Sequence, residues 1–344
     1  MLSIARPVRR RQAQIAVLGA GSWGTALGSL LAGSTPTTLW ARRPAIADEI
    51  NARHTNGRYL GNAALDRGLR ATACLQDAVS SADLVVMAVP SHSFRSVLEQ
   101  AARHVRRFVP IVSLTKGLEG GTRLRMTEIV DELIPGHPVG VLAGPSVARD
   151  VLDGRAAAAV IAFGDDRVAE EFRRLFSIAP LQVHKSQDVV GCEIAGAVTN
   201  VLAIAAGMAA GLDEGDSTRA VVITRGLAEL TRLGTALGGD PETFPGLAGM
   251  GDLIATCFAP LSPGRRVGEA LARGRGIEQI VGELGHVAEG ITGAGTVVDL
   301  AAAHGLSMPI AFEVHAVISG TRDGADAFRG LRPRATAGEL DRVA

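Results

Sequence analysis

Short apolar runs alternate with helix-compatible stretches through the first half of the chain. Ile15–Leu18, Thr37–Trp40, Leu84–Val89, Ile111–Thr115, Val139–Ala143 and Ala157–Ala162 have strand length, and a last short run near Leu181–His184 closes the series. Helical patterns lie between them, so the order predicts an α/β unit of parallel strands with helical crossovers. The pattern changes at Asp188. From there to Leu212 the chain is small and apolar, and helical segments follow at Arg219–Leu237, Arg266–Arg273, Thr292–His304 and Ile310–Ser319. Pro241, Pro309 and the Gly238-Gly239 pair mark the breaks. The expected division is a basic leader at 1–13, an α/β domain at 14–186, an all-helical domain at 187–331 and a loose polar tail at 332–344.

The run after Asp188 has the length of a bilayer span. Glu193 and Asn200 interrupt it and no basic flank anchors it, so it reads as a buried central helix rather than a membrane span. Lys plus Arg and Asp plus Glu number 35 each, which leaves no net field to draw nucleic acid or a membrane surface. The leader carries Arg6, Arg9, Arg10 and Arg11, but the next apolar run is too short for an export signal. Cys74, Cys192 and Cys257 are widely spaced and the histidines show no HExxH pattern, so neither a disulfide framework nor a metal is expected. A reducing cytoplasm fits that cysteine usage and is the expected location.

The chemistry begins directly after the first strand. Gly19-Ala20-Gly21-Ser22-Trp23-Gly24 is a GxGxxG turn, and Thr25 to Ala32 can continue it as a helix. Gly19 permits the tight turn, Gly21 admits a pyrophosphate close to the backbone, and Gly24 lets helix and strand pack closely. The free N–H groups at the helix start then face the phosphates. A nicotinamide dinucleotide is the expected cofactor. An NAD-selective site places an acid at the end of the second strand; here Ala41-Arg42-Arg43 stands there. Arginine offers fixed donors to a 2′-phosphate, so NADP(H) is favoured over NAD(H).

Further segments carry a resemblance. They are Thr115-Lys116-Gly117-Leu118-Glu119, Ala143-Gly144-Pro145-Ser146, Asn200, the stretch Ile223 to Glu229, Gly249-Met250-Gly251-Asp252-Leu253 and Val287-Ala288-Glu289-Gly290. In this order and spacing, from about Ile15 to Gly320, the chain resembles the NAD(P)-dependent glycerol-3-phosphate dehydrogenases. The resemblance implies a Rossmann-type doubly wound sheet followed by an all-helical domain, a cleft site between them, and a homodimer. It implies reversible reduction of dihydroxyacetone phosphate to sn-glycerol 3-phosphate, a glycerophospholipid precursor. Carried over by position, it places Ser22, Trp23, Arg43, Lys116, Ala148, Val287 and Glu289 near the cofactor. It places Lys116, Gly144, Ser146 and Asp252 near the substrate, and Asn200, Ser262 and Arg265 are further substrate-binding candidates. Lys116, suited to polarise a carbonyl, and Asp252 are the catalytic candidates, together with Thr199 at the position of the family's catalytic lysine.

Three positions depart from the family pattern. Thr199 stands where the family carries its proton-transferring lysine, and a hydroxyl is no base near neutral pH without an activating partner. Pro263 and Gly264 stand where the family's Ser-Arg-Asn-Arg run supplies two side-chain donors to the substrate phosphate. Arg265 or Arg266 is the candidate to fill that gap. Three readings therefore stand side by side: a working dehydrogenase with a rearranged site, a dehydrogenase of a related small hydroxy compound, and a cofactor-binding protein with little turnover.

Overall fold

A computed structural model describes residues 12–145, 147–213, 215–284 and 288–327. The leader, apart from its last two residues, and the tail lie outside them, as do Ser146 and Val287. Eight strands make one sheet: β1 (Ile15–Leu18), β2 (Thr37–Trp40), β3 (Arg70–Thr72), β4 (Leu84–Met87), β5 (Ile111–Ser113), β6 (Val139–Ala143), β7 (Ala157–Phe163) and β8 (Leu181–Ser186). Their spatial order is β3-β2-β1-β4-β5-β6-β7-β8. The order reverses between β1 and β4, so the loops leaving these two strands open the crevice where such sheets bind ligands.

The central strands read as unbroken apolar runs because helices cover both sheet faces. Val17, Leu39 and Val86 pack into one layer, and Leu18, Val85 and Met87 into the other, all with at most 3% exposure. Two differences from the expected pattern have simple causes. β3 has only three residues and begins with an exposed arginine, so no apolar run announces it. β7 runs antiparallel to β6, and β8 follows β7, whereas the pattern predicted parallel strands throughout. The connection between β6 and β7 holds only the five-residue helix Ala148–Leu152, too little for a full crossover.

The helical domain is built around Val189–Gly211, a 23-residue helix whose side chains are nearly all buried. Although apolar enough to cross a membrane, it is the core of this domain. The Pro263–Ala272 helix lies against it almost backbone to backbone: a Cβ on Gly207 would fall 2.0 Å from Arg265 O, and one on Gly268 would fall 2.0 Å from Ile204 O. Glu193 ties the same helix to the sheet domain. It accepts from Thr127 N at 3.0 Å, the Thr127 hydroxyl at 2.5 Å and Arg125 Nη1 at 3.0 Å. Burial pushes its carboxyl upward, and the Thr127 hydroxyl and Arg125 charge oppose that rise.

Glu229, 1% exposed, closes the start of the Pro309–Ile318 helix by accepting from Ile310 N at 2.8 Å and Ala311 N at 3.1 Å. Burial pushes its carboxyl from 4.5 to about 7. A carboxyl raised on folding stabilises the fold fully only while protonated in both states, and that contribution disappears as pH climbs past the folded value. The chain is therefore expected to lose up to about 3 kcal/mol of stability from this one group between pH 5 and pH 9. Urea unfolding across that range checks it, with Glu229→Gln flattening the fall. Equal pH slopes in the two proteins would count against a raised carboxyl.

Candidate functional site

The glycine loop leaves β1 with Gly19 at φ +124°, a left-handed conformation that suits glycine. A Cβ on Gly19 would fall 2.4 Å from Ala88 O, and one on Gly24 would fall 2.2 Å from Gly19 O, so both glycines are required by close packing. Gly21 differs: a Cβ there would meet nothing within 4 Å. Gly21 precedes the Ser22–Ala32 helix, and among the described residues no side chain caps the helix start. The first-turn N–H groups are thus left for an incoming anion. Gly19 N donates to Trp40 O at 3.1 Å, which sets the loop beside the end of β2. Arg42 and Arg43 follow Trp40 and are exposed, Ser22 is exposed, Trp23 is half-buried, and Ala148 is buried at the start of its short helix.

Lys116 follows β5 at the same edge of the sheet. Its Nζ donates to Asp252 Oδ1 at 2.7 Å, to Asp252 Oδ2 at 2.8 Å and to Gly144 O at 3.2 Å. The Lys116 side chain is 22% exposed and that of Asp252 1%, so the ammonium sits at the mouth and the carboxylate behind it. Burial pushes the Asp252 carboxyl up; the Lys116 charge and the Thr256 hydroxyl, at 3.3 Å, pull the other way. Asn200 Nδ2 donates to Lys116 O at 2.9 Å, and a Cβ on Gly196 would lie 3.3 Å from Lys116 Cγ. The lysine from the sheet domain thus rests directly on the central helix.

Thr199 is wholly buried, and among the described residues its Oγ1 has no hydrogen-bond partner that could activate it. Ser262 caps the Pro263–Ala272 helix, its Oγ accepting from Arg265 N at 3.5 Å, and Pro263 occupies the first turn, where a missing N–H costs nothing. Gly264 packs on the central helix, where a Cβ would lie 3.0 Å from Ala203 Cβ and 3.2 Å from Asn200 O. The Arg265 guanidinium is engaged by Glu269 at 2.9 Å and Phe258 O at 2.6 Å. Arg266 is exposed.

Glu289 begins the Glu289–Ala303 helix and reaches across to the sheet domain. It accepts from Ser91 N at 2.8 Å and from the Ser91 hydroxyl at 2.5 Å. Burial pushes its carboxyl up against those two bonds. Asn200 O lies under the starts of two helices, 3.2 Å from a Gly264 Cβ and 2.3 Å from a Gly290 Cβ. Among the described residues no cluster of His, Cys, Asp or Glu has the makings of a metal site. Sequence reasoning missed Ser91 and Thr256. The four-residue step from Asp252 to Thr256 within the Asp252–Phe258 helix was a usable signal, since such residues share a face; Ser91 had none.

Known proteins match this arrangement along nearly its full length. The family described as NAD-dependent glycerol-3-phosphate dehydrogenase N-terminus matches residues 14–169, and its C-terminus counterpart matches residues 188–329. Glycerol-3-phosphate dehydrogenase [NAD(P)+] 2 of Sphingopyxis alaskensis is 50% identical over 318 residues, covering 92% of this chain and 96% of the relative. Glycerol-3-phosphate dehydrogenase [NAD(P)+] 1 of Mycobacterium tuberculosis is 50% identical over 323 residues, covering 94% and 95%. The crystal structure of glycerol-3-phosphate dehydrogenase from Coxiella burnetii superposes with a TM-score of 0.90 at 34% identity, covering 94% of this chain and 99% of that one. With both halves matched in order around a glycine loop and a Lys116–Asp252 pair, the chain belongs to the NAD-dependent glycerol-3-phosphate dehydrogenase family.

Proposed function

We propose that this protein reduces dihydroxyacetone phosphate to sn-glycerol 3-phosphate with NAD(P)H, using Lys116 in the role that Thr199 cannot fill. The observation that carries the reading is the Lys116 ammonium, held by both oxygens of a buried Asp252 beside the glycine-loop edge of the sheet. The loop fits a dinucleotide, because the space beside Gly21 is open and the following helix start carries no side-chain cap. Bound there, the nicotinamide supplies the hydride. Lys116 donates to the substrate carbonyl oxygen, stabilises the charge that develops on it and delivers the proton. Asp252 holds the ammonium in place, and Asn200 fixes the lysine's backbone. Gly144 contributes its carbonyl to the same ammonium. The substrate phosphate points to the start of the Pro263–Ala272 helix, where the hydroxyl hydrogen of Ser262 and the positive end of the helix dipole replace the lost side-chain donors.

In this reading the sheet and helical domains divide at 186–187, and the free cysteines accord with a cytoplasmic protein. Arg42 and Arg43 support a preference for NADP(H). Following the oxidation of NADPH and NADH with dihydroxyacetone phosphate tests the proposal. Turnover with both is expected, with NADPH favoured by about tenfold in kcat/KM and Arg43→Ala removing most of that preference. No turnover with either cofactor would sink the reading. A second reading, a dehydrogenase for a small hydroxy compound without phosphate, is favoured by Pro263 and Gly264, which bring no side-chain donor.

A further inference from the structure

Asn56 is wholly buried and takes no part in the chemistry above. Its Nδ2 donates to Ala20 O at 3.0 Å and to Thr25 Oγ1 at 2.9 Å. Ala20 lies inside the glycine loop and Thr25 in the first turn of the following helix, so one amide ties both sides of the turn. Ala20 O can only accept, which fixes the NH₂ end of the side chain toward it.

The segment carrying Asn56 has its own braces. The Glu49 carboxylate accepts from Gly57 N and from the Thr55 hydroxyl, each at 2.8 Å, and these two bonds hold its carboxyl below the ordinary value. Tyr59 N and Leu60 N donate to Asn56 O at 3.2 and 2.9 Å. The chain is turned into this segment by His54 at φ +53°. The amide is therefore held from behind as well as in front.

A peptide unit is planar and trans, so its carbonyl and its N–H point opposite ways. Ala20 O faces Asn56, and the Gly21 N–H of the same unit therefore faces away from it. Glycine on both sides of Ala20 leaves this peptide easy to rotate unless something holds it. We infer that Asn56 is a positioning residue for the cofactor: it locks the Ala20–Gly21 peptide so that the Gly21 N–H meets the pyrophosphate of the dinucleotide. This rests on the dinucleotide reading given above. Asn56→Asp keeps the shape and replaces the donor with an acceptor facing Ala20 O. Thr25→Val removes only the second of the two bonds and is the milder variant.

The test is calorimetric titration of the full chain and both variants with NADPH, ADP-ribose and adenosine 2′-monophosphate; the last lacks a pyrophosphate. Asn56→Asp is expected to weaken NADPH and ADP-ribose by about tenfold and to leave the monophosphate within about twofold. Thr25→Val is expected to weaken the same two ligands by about two- to threefold, and it decides the matter if the Asn56 variant does not fold. An equal loss for all three ligands would mean general damage and overturn the inference. Unchanged NADPH affinity in the variants would overturn it too, while leaving the dinucleotide reading intact. If the unaltered protein binds none of the three, the dinucleotide reading fails and the inference falls with it.

Discussion

Lys116→Ala lowers kcat/KM for dihydroxyacetone phosphate by about a thousandfold or more, while Thr199→Val changes it by less than about threefold. The contrast follows from where the two side chains sit. Lys116 holds a partly open ammonium against a buried carboxylate, the arrangement needed to meet a carbonyl oxygen and give it a proton. Its removal also leaves Asp252 buried without its cationic partner. The variant is expected to lose stability by about 3–5 kcal/mol, so its melting must be followed beside its kinetics. Thr199 offers a buried hydroxyl that finds no partner among the described residues, and valine fills the same volume without it. That exchange is expected to be neutral or to stabilise by about 1 kcal/mol. Steady-state kinetics on both folded variants checks the pair. A loss on Thr199→Val as deep as that on Lys116→Ala would place the threonine hydroxyl on the substrate and overturn this division of labour.

Such a division is only partly written in the sequence. The strands β1, β2 and β6 begin and end where the short runs do: β1 and β6 have no polar residue, as befits strands covered on both faces, and the two threonines of β2 are β-branched and suit a strand. Strand direction is another matter: the run Ala157–Phe163 looks like its neighbours, and only the shortness of the preceding helix turns it antiparallel. At the site, the glycine loop, Lys116 and Asp252 each stood out within a local motif. Their meeting did not, since 136 residues separate the lysine from its carboxylate. Glu193 was legible as an interruption of an apolar run; that it takes bonds from Arg125 and Thr127 depends on how two domains pack. Arg265 shows the opposite case. Its position in sequence makes it the natural substitute for a lost phosphate donor, whereas its own helix supplies Glu269 one turn away to hold it.

Pro263→Arg is expected to lower the KM for dihydroxyacetone phosphate by about ten- to hundredfold with kcat within about threefold, because one charge-assisted bond to a phosphate is worth about 1.5–3 kcal/mol. Position 263 can receive the change. It lies in the first helical turn, where proline gives no hydrogen bond that another residue would need to replace, and it is only half-buried. The Ser262 cap is untouched, and Gly264 next to it packs on Asn200, whose side chain holds the Lys116 backbone, so a cation here stands close to the reacting end. Position 264 is different. A side chain there would press on Ala203 and Asn200, so Gly264→Asn is expected to cost about 1–3 kcal/mol in stability before any gain in binding. The measurement is a pair of saturation curves, with inorganic phosphate as a competitor of each protein. A lower KM and a lower phosphate inhibition constant together mean that the substrate phosphate rests at this helix start in the unaltered enzyme as well. An unchanged KM, with phosphate inhibiting neither protein, would instead mean that this chain has kept the hydride-transfer scaffold and turned it to a substrate with no phosphate to hold.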